Sequence, residues 1–130
     1  MISVDTNVLV RVLVNDDADQ AKRALRRLRS DSAWISRTVL LEAEWVLRHA
    51  YGLGVTPIQT AFQTLLGVAS VEIEDRDDVL RALGWHAQGM DFADALHLAA
   101  SNSATHFVTF DRKLAKAAKR VGAKPPTAAP

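Results

Sequence analysis

Four short apolar segments, separated by stretches with helical periodicity, are the feature that most constrains the fold of this chain. They cover residues 2–4, 33–35, 71–73 and 107–109, and most of them contain β-branched or aromatic side chains. Such segments are typical of buried strands. Because strands that alternate with helices form parallel pairs through helical crossovers, the pattern predicts an α/β sandwich around a central, mostly parallel sheet.

Seven helices are predicted from the spacing of apolar residues and from capping residues. Pro57 is expected at the first position of the fourth helix. The length of 130 residues suits a single domain. We expect that domain to span residues 1–124 and residues 125–130, rich in Pro and Ala, to form a loose C-terminal tail. The predicted helices cover residues 8–13, 17–28, 38–51, 56–67, 75–86, 91–102 and 111–121.

Composition excludes several classes of site. The chain has no cysteine, which excludes disulfides, thiol catalysis and thiolate metal sites. No apolar run approaches the ~20 residues that span a membrane. The first residues lack the basic lead of a signal peptide. These features predict a cytoplasmic protein that makes no membrane contact.

Acidic residues lie where the predicted strands end or helices begin. Asp5 follows the first strand and Asp111 the fourth, while Glu42 and Asp94 lie in first helical turns. Ligands of parallel sheets bind at the carboxyl ends of the strands. Each acid alone is explained by helix capping. Together they need a cation, since two carboxylates ~4 Å apart repel by about 4 kcal/mol at an effective dielectric constant of ~20. Oxygen ligands favour Mg²⁺ or Mn²⁺.

Four acidic motifs follow one another along the chain. They are Val4-Asp5-Thr6-Asn7, then Val39-Leu40-Leu41-Glu42-Ala43-Glu44-Trp45-Val46-Leu47, then Asp91-Phe92-Ala93-Asp94-Ala95-Leu96-His97, and finally Val108-Thr109-Phe110-Asp111. In order and spacing they resemble the signature motifs of PIN-domain nucleases, and most closely those of the VapC-type toxins of bacterial toxin–antitoxin pairs. The resemblance covers nearly the whole chain.

The resemblance implies a Rossmann-like α/β/α fold and a Mg²⁺- or Mn²⁺-dependent ribonuclease that cleaves phosphodiester bonds. It assigns Asp5, Glu42, Asp94 and Asp111 as the catalytic acids, with Asp5, Asp94 and Asp111 as metal ligands. Asn7 and Thr109 fall on positions that hydrogen-bond the acids or their water.

For two of the assigned acids, a second acid nearby is an alternative candidate. Glu44 lies about 200° around the helix from Glu42, so only one of the two can face a metal ion. Helical geometry does not choose between them, and the motif register favours Glu42. Asp91 shares a side of its helix with Asp94. We take Asp94 as the ligand and Asp91 as a helix cap or a support for a metal-bound water.

Two basic clusters have two interpretations each. Either they are solvated helix faces, or they form a rim that contacts RNA phosphates. Arg26, Arg112 and Lys113 are the candidate RNA-contacting residues. The clusters comprise Arg23, Arg26, Arg27 and Arg29, and Arg112, Lys113, Lys116, Lys119 and Arg120.

The resemblance also implies partners, namely an RNA substrate, a cognate antitoxin protein and a second copy of the chain in a homodimer or larger complex. Apolar helix residues such as Trp45 would mark that interface if they stay exposed. Two other functions stay open: a PIN-fold enzyme of RNA processing without a toxin role, and a non-catalytic α/β binding module. A phosphoacceptor receiver domain is disfavoured because Lys113 lies too near Asp111.

Overall fold

The computed structural model describes all 130 residues and divides the chain into two compact units. The N-terminal unit spans Met1–Arg76 and the C-terminal unit spans Asp77–Pro130. The expectation of one domain over residues 1–124 stays a prediction. No helix combines the length and the apolar character that crossing a membrane requires.

The N-terminal unit is built on a parallel sheet of three strands in the order β1-β2-β3. Ala33 is central to the register, since it pairs with Ile2 on one side and Val71 on the other. Two helices connect each strand to the next, as parallel pairing requires. The elements are β1 (Ile2–Ser3), α1 (Thr6–Val14), α2 (Ala18–Asp31), β2 (Ala33–Ile35), α3 (Arg37–His49), α4 (Val55–Leu66) and β3 (Val71–Ile73).

Apolar side chains from the helices and strands form the core of this unit. Leu9 of α1, Ile35 of β2, Leu47 of α3 and Phe62 of α4 are all fully buried. Burying a side chain of this size contributes about 1.5–3 kcal/mol, so the periodic apolar residues hold the helices on the sheet. That packing fixes where the loop after β1 presents Asp5.

The C-terminal unit contains three helices and a second pair of parallel strands. Phe107 pairs with Thr127 and Val108 with Ala128. Leu98 and Leu114 contribute to its core. The elements are α5 (Arg76–Ala87), α6 (Phe92–Ala99), β4 (Phe107–Val108), α7 (Arg112–Val121) and β5 (Thr127–Ala128).

The structure confirms the α/β class, because all strand pairs are parallel, and corrects three details. Residues 125–130 are not a loose tail, since Thr127–Ala128 form β5 beside β4. The second helix continues to Asp31, three residues beyond the predicted end at residue 28. Pro57 is the third residue of α4 and not the first. It is tolerated there because the first N–H groups of a helix have no partner within the helix.

Candidate active site

Three of the predicted site acids cap helices. Asp5 caps α1, Asp91 caps α6 and Asp111 caps α7. In each case one carboxylate oxygen, Oδ1, accepts a hydrogen bond of 3.0 Å from the backbone N–H three residues later. The capping interpretation is therefore confirmed for these three acids. Each cap uses one oxygen, so the other oxygen is available to a ligand.

Asp94 lies in the first turn of α6 and caps nothing. It is half-buried, and its carboxylate makes no hydrogen bond or ion pair. Burial raises the pKa of Asp94, and the neighbouring carboxylates of Asp91 and Asp111 raise it further. His97 and Lys113 act in the opposite direction on this pKa. Desolvation and like charges are the effects that perturb acids at functional sites.

These carboxylates line a cavity of about 440 Å³ in the C-terminal unit. Asp91, Asp94 and Asp111 lie on it together with cations from α7. The cavity is therefore polar and mixed in charge, with acids from two helix starts and bases from one helix. Its basic lining residues are Lys113, Lys116 and Arg120.

Thr109 positions Asp111. The Thr109 Oγ1 accepts a hydrogen bond of 2.9 Å from the Asp111 backbone N–H. The Thr109 N–H in turn donates to the Ala128 carbonyl at 3.0 Å, which ties this turn to β5. This contact is with the backbone of Asp111, and the predicted hydrogen bond of Thr109 to the acids or their water stays a prediction.

In the N-terminal unit, Asp5 and Asn7 line a cavity of about 670 Å³ beside α2. Three arginines of α2, Arg23, Arg26 and Arg27, line the same cavity. Arg23 and Arg27 pair with acids of their own helix at 3.8 Å and 2.9 Å, whereas Arg26 forms no ion pair. Of the arginines on this wall, Arg26 is thus the one whose charge is not offset within the helix.

Glu42 and Glu44 have opposite surroundings on α3. Glu42 is exposed and does not line the cavity beside Asp5. Glu44 is only 2% exposed, and its carboxylate accepts hydrogen bonds from Arg48 at 2.9 and 3.3 Å. The ion pair with Arg48 therefore explains why the Glu44 carboxylate can be buried. Of the two glutamates, Glu42 is the one that is accessible to solvent or substrate.

A profile of the PIN domain matches residues 2–120, which is nearly the entire chain. The chain belongs to the PIN domain family. A comparison with curated proteins gave no significant match. PIN domains are generally nucleases, and they typically bind divalent metal ions.

The residues of this PIN domain suit such an ion by their chemistry. Carboxylate oxygens are the ligands that Mg²⁺ and Mn²⁺ prefer, and Mg²⁺ is commonly held by only one or two of them. No group of three or more His, Asp or Glu side chains is arranged to hold a metal ion in this structure. The carboxylates of Asp91, Asp94 and Asp111 thus fit the ion by the chemistry of their oxygens.

Two residues that the sequence interpretation named only as members of a basic cluster, Lys116 and Arg120, line the acidic cavity of the PIN domain. That interpretation preferred Arg112 and Lys113, and of these Lys113 lines the cavity whereas Arg112 does not. Helical spacing gives only a partial signal. Positions 113, 116 and 120 fall within about 60° of one another around a helix, and position 112 lies about 40° beyond position 116, at the edge of this arc.

Proposed function

We propose that this PIN domain is a Mg²⁺- or Mn²⁺-dependent endoribonuclease and the toxin of a toxin–antitoxin pair, acting on RNA in the cytoplasm. The observation that carries the enzymatic part is Asp94. Its carboxylate has no structural partner, and its pKa is raised by burial and by Asp91 and Asp111. Helix capping accounts for the other acids of the cavity but not for this one. A destabilising arrangement of like charges is typical of a functional site.

The acids have separate roles in this proposal. Asp94 and Asp111 would contribute ligands to the divalent ion, and the motif resemblance adds Asp5 to them; when bound, the ion would stabilise negative charge on the phosphate and the leaving oxygen. Asp94 or Asp111 accepts the proton of the attacking water as a general base.

The remaining polar residues orient these groups. Thr109 holds the backbone of Asp111 through its hydroxyl. Asn7 and Asp5 both line the cavity beside α2 in the N-terminal unit. Glu42 supplies a further exposed carboxylate. Water attacks phosphorus, the bond from phosphorus to the 3′ oxygen breaks, and that oxygen takes a proton from solvent. The products are a 5′-phosphate and a 3′-hydroxyl.

The test is cleavage of single-stranded RNA by the full chain in Mg²⁺, in Mn²⁺ and in EDTA. We expect cleavage with either metal ion, none in EDTA, and a loss of at least a hundredfold for Asp94→Asn and Asp5→Asn. Asp77→Asn is the matched control, since Asp77 also lies in the first turn of a helix. Wild-type rates in a folded Asp94→Asn protein would refute the site.

The toxin role requires a protein partner, and Trp45 supports one. This α3 side chain is 55% exposed, and its ring lies 4.6 Å from that of His49. Val55, at the start of α4, is also exposed. Large exposed apolar side chains are typical of contact surfaces. We propose that this surface serves a cognate antitoxin or a second copy of the chain.

Expression in growing bacteria tests the toxin role. We expect growth to stop with the wild-type chain and to continue with Asp94→Asn at equal protein level. Light scattering of purified wild-type and Trp45→Ala protein measures whether the chain is a homodimer and whether Trp45 contributes. Unimpaired growth with a demonstrably active enzyme would instead favour an RNA-processing role.

A further inference from the structure

The five basic residues of α7 divide into two sets with different surroundings. Lys113, Lys116 and Arg120 follow one side of the helix and line the acidic cavity. Arg112 and Lys119 do not line it. By helical geometry they lie about 40° and 60° from Lys116 and about 80° and 100° from Arg120, on the side away from Lys113. The basic composition of α7 is therefore not a uniform solvated face. We call Lys113, Lys116 and Arg120 the α7 stripe.

The α7 stripe forms no ion pairs with the acids of the same cavity. No ammonium or guanidinium nitrogen of the stripe lies within 4.0 Å of a carboxylate oxygen of Asp91, Asp94 or Asp111. Opposite charges that share a cavity without pairing are both available to a ligand. A ligand that uses both sets must carry negative charge for the cations, and a bound metal ion would serve the acids.

Arg120 lies close to a glycine that also lines the cavity. Gly89 lies in the loop before Asp91 and has a φ of +102°, a conformation that side chains rarely adopt. A Cβ at Gly89 would lie 3.5 Å from the Arg120 Nη2. The guanidinium of Arg120 therefore extends from α7 to the loop that leads into Asp91.

We infer that the α7 stripe binds the phosphates of the RNA strand beside Asp94 and Asp111, with Lys116 and Arg120 as phosphate contacts that the family assignment does not supply. This inference rests on the proposed ribonuclease function. Lys113 and Arg120 are about 10 Å apart along the helix axis, so the stripe follows a strand and does not hold one phosphate alone. The stripe also offsets the repulsion between the carboxylates and a polyanionic substrate.

Salt dependence of RNA binding tests this inference directly. The probe is a fluorescein-labelled single-stranded RNA, followed by anisotropy in EDTA, where metal-dependent cleavage stops. For single strands the slope of log K against log salt is about −0.7 per phosphate contact. Lys116→Ala and Arg120→Ala should each weaken binding several-fold and reduce the slope by about 0.7, and the double variant should reduce it by about 1.4.

Two further variants separate phosphate contact from general effects. Lys119→Ala removes the same charge from the same helix outside the cavity, and it should leave the slope unchanged. Arg120→Lys retains the charge and should retain most of the slope. The thermal midpoint of each variant should match that of the wild type, since all three side chains are exposed.

The outcomes distinguish this inference from the proposed function. Suppose that Asp94-dependent cleavage occurs but the Lys116→Ala/Arg120→Ala double variant binds RNA as the wild type does. The inference that the α7 stripe binds phosphates is then wrong, and the proposed nuclease function is unaffected. An equal loss for Lys119→Ala would also overturn the stripe, because only net charge would then matter. A reduced slope in a protein that never cleaves RNA would support the stripe and refute the catalytic proposal.

Discussion

Glu44 and Arg48 form an ion pair one turn apart on α3, and this pair accounts for a nearly buried carboxylate. Replacing Glu44 with Ala removes the pair and opens space in the core, so we expect a loss of about 1–3 kcal/mol in the free energy of unfolding. Urea denaturation measures this loss. Glu42→Gln should change stability by less than about 0.5 kcal/mol, because Glu42 is exposed. It should reduce RNA cleavage.

The opposite effects on RNA cleavage would exchange the roles proposed for Glu42 and Glu44. If Glu42→Gln cleaved RNA at the wild-type rate, and a folded Glu44→Gln protein did not, Glu44 would be the second acid of the site. The matched Gln substitutions keep side-chain size constant, so the comparison isolates the charge.

Asp94→Asn should raise stability while it abolishes cleavage. Burial and two neighbouring carboxylates raise the pKa of Asp94, so the folded state disfavours its charge. The resulting cost is full above the folded-state pKa and disappears as the pH falls below the ordinary value of 3.8. We therefore expect a higher thermal midpoint for Asp94→Asn at pH 7 and a smaller difference at pH 3.

Asp91→Ala is the contrasting variant for that measurement. It also relieves repulsion on Asp94, but it removes the cap of α6, which contributes about 1 kcal/mol. Its thermal midpoint should fall. A midpoint for Asp94→Asn below that of the wild type would show that this carboxylate stabilises the fold.

Asp16, Arg11 and Tyr51 form a network whose effect depends on pH. The Tyr51 hydroxyl donates to Asp16 at 2.8 Å, and Arg11 donates to both oxygens of Asp16. Hydrogen bonds from Tyr51 and Arg11 lower the pKa of Asp16 below its ordinary value of 3.8. The stabilisation is therefore present above that value and is lost as the pH falls through the folded-state pKa.

Asp16→Asn should consequently lose less stability than the wild type between pH 6 and pH 2.5, as measured by urea midpoints. Tyr51→Phe removes the main cause of the lowered pKa and should show an intermediate dependence. Parallel curves for wild type and Asp16→Asn would mean that the network has no effect on stability.

Thr109→Val should reduce cleavage more than it reduces stability. The substitution removes the oxygen that accepts from the Asp111 N–H, and a single hydrogen bond contributes about 0.5–1.5 kcal/mol. We expect a stability loss in that range and a larger relative loss of kcat. Thr109→Ser keeps the oxygen and should restore the rate, whereas a rate equal to wild type in Thr109→Val would contradict a positioning role.

Local patterns predicted most of the helices and strands, since Asp5, Asp91 and Asp111 mark helix starts by capping chemistry that a sequence displays directly. The pairing of β5 was not predictable in this way. Phe107 and Thr127 are distant in the sequence, and the prolines before Thr127 weaken the strand pattern.

In the candidate site, too, some features could be predicted from local sequence and others depended on tertiary contacts. The identities of the acids could be obtained from motifs, whereas the absence of any partner for Asp94 required coordinates. Likewise, composition identified a basic cluster, but only the position of α7 beside Asp94 and Asp111 separated Lys116 and Arg120 from Arg112.

The pairing of β5 with β4 also affects how this chain should be handled. The Ala128 carbonyl accepts from Thr109, whose hydroxyl in turn accepts from the Asp111 N–H. A protease that cut near Pro126, or an expression boundary chosen before it because the segment is rich in Pro and Ala, would remove this support. Such a protein would keep every acid of the cavity and still hold Asp111 less firmly, so inactivity of a shortened chain would not count against its catalytic residues.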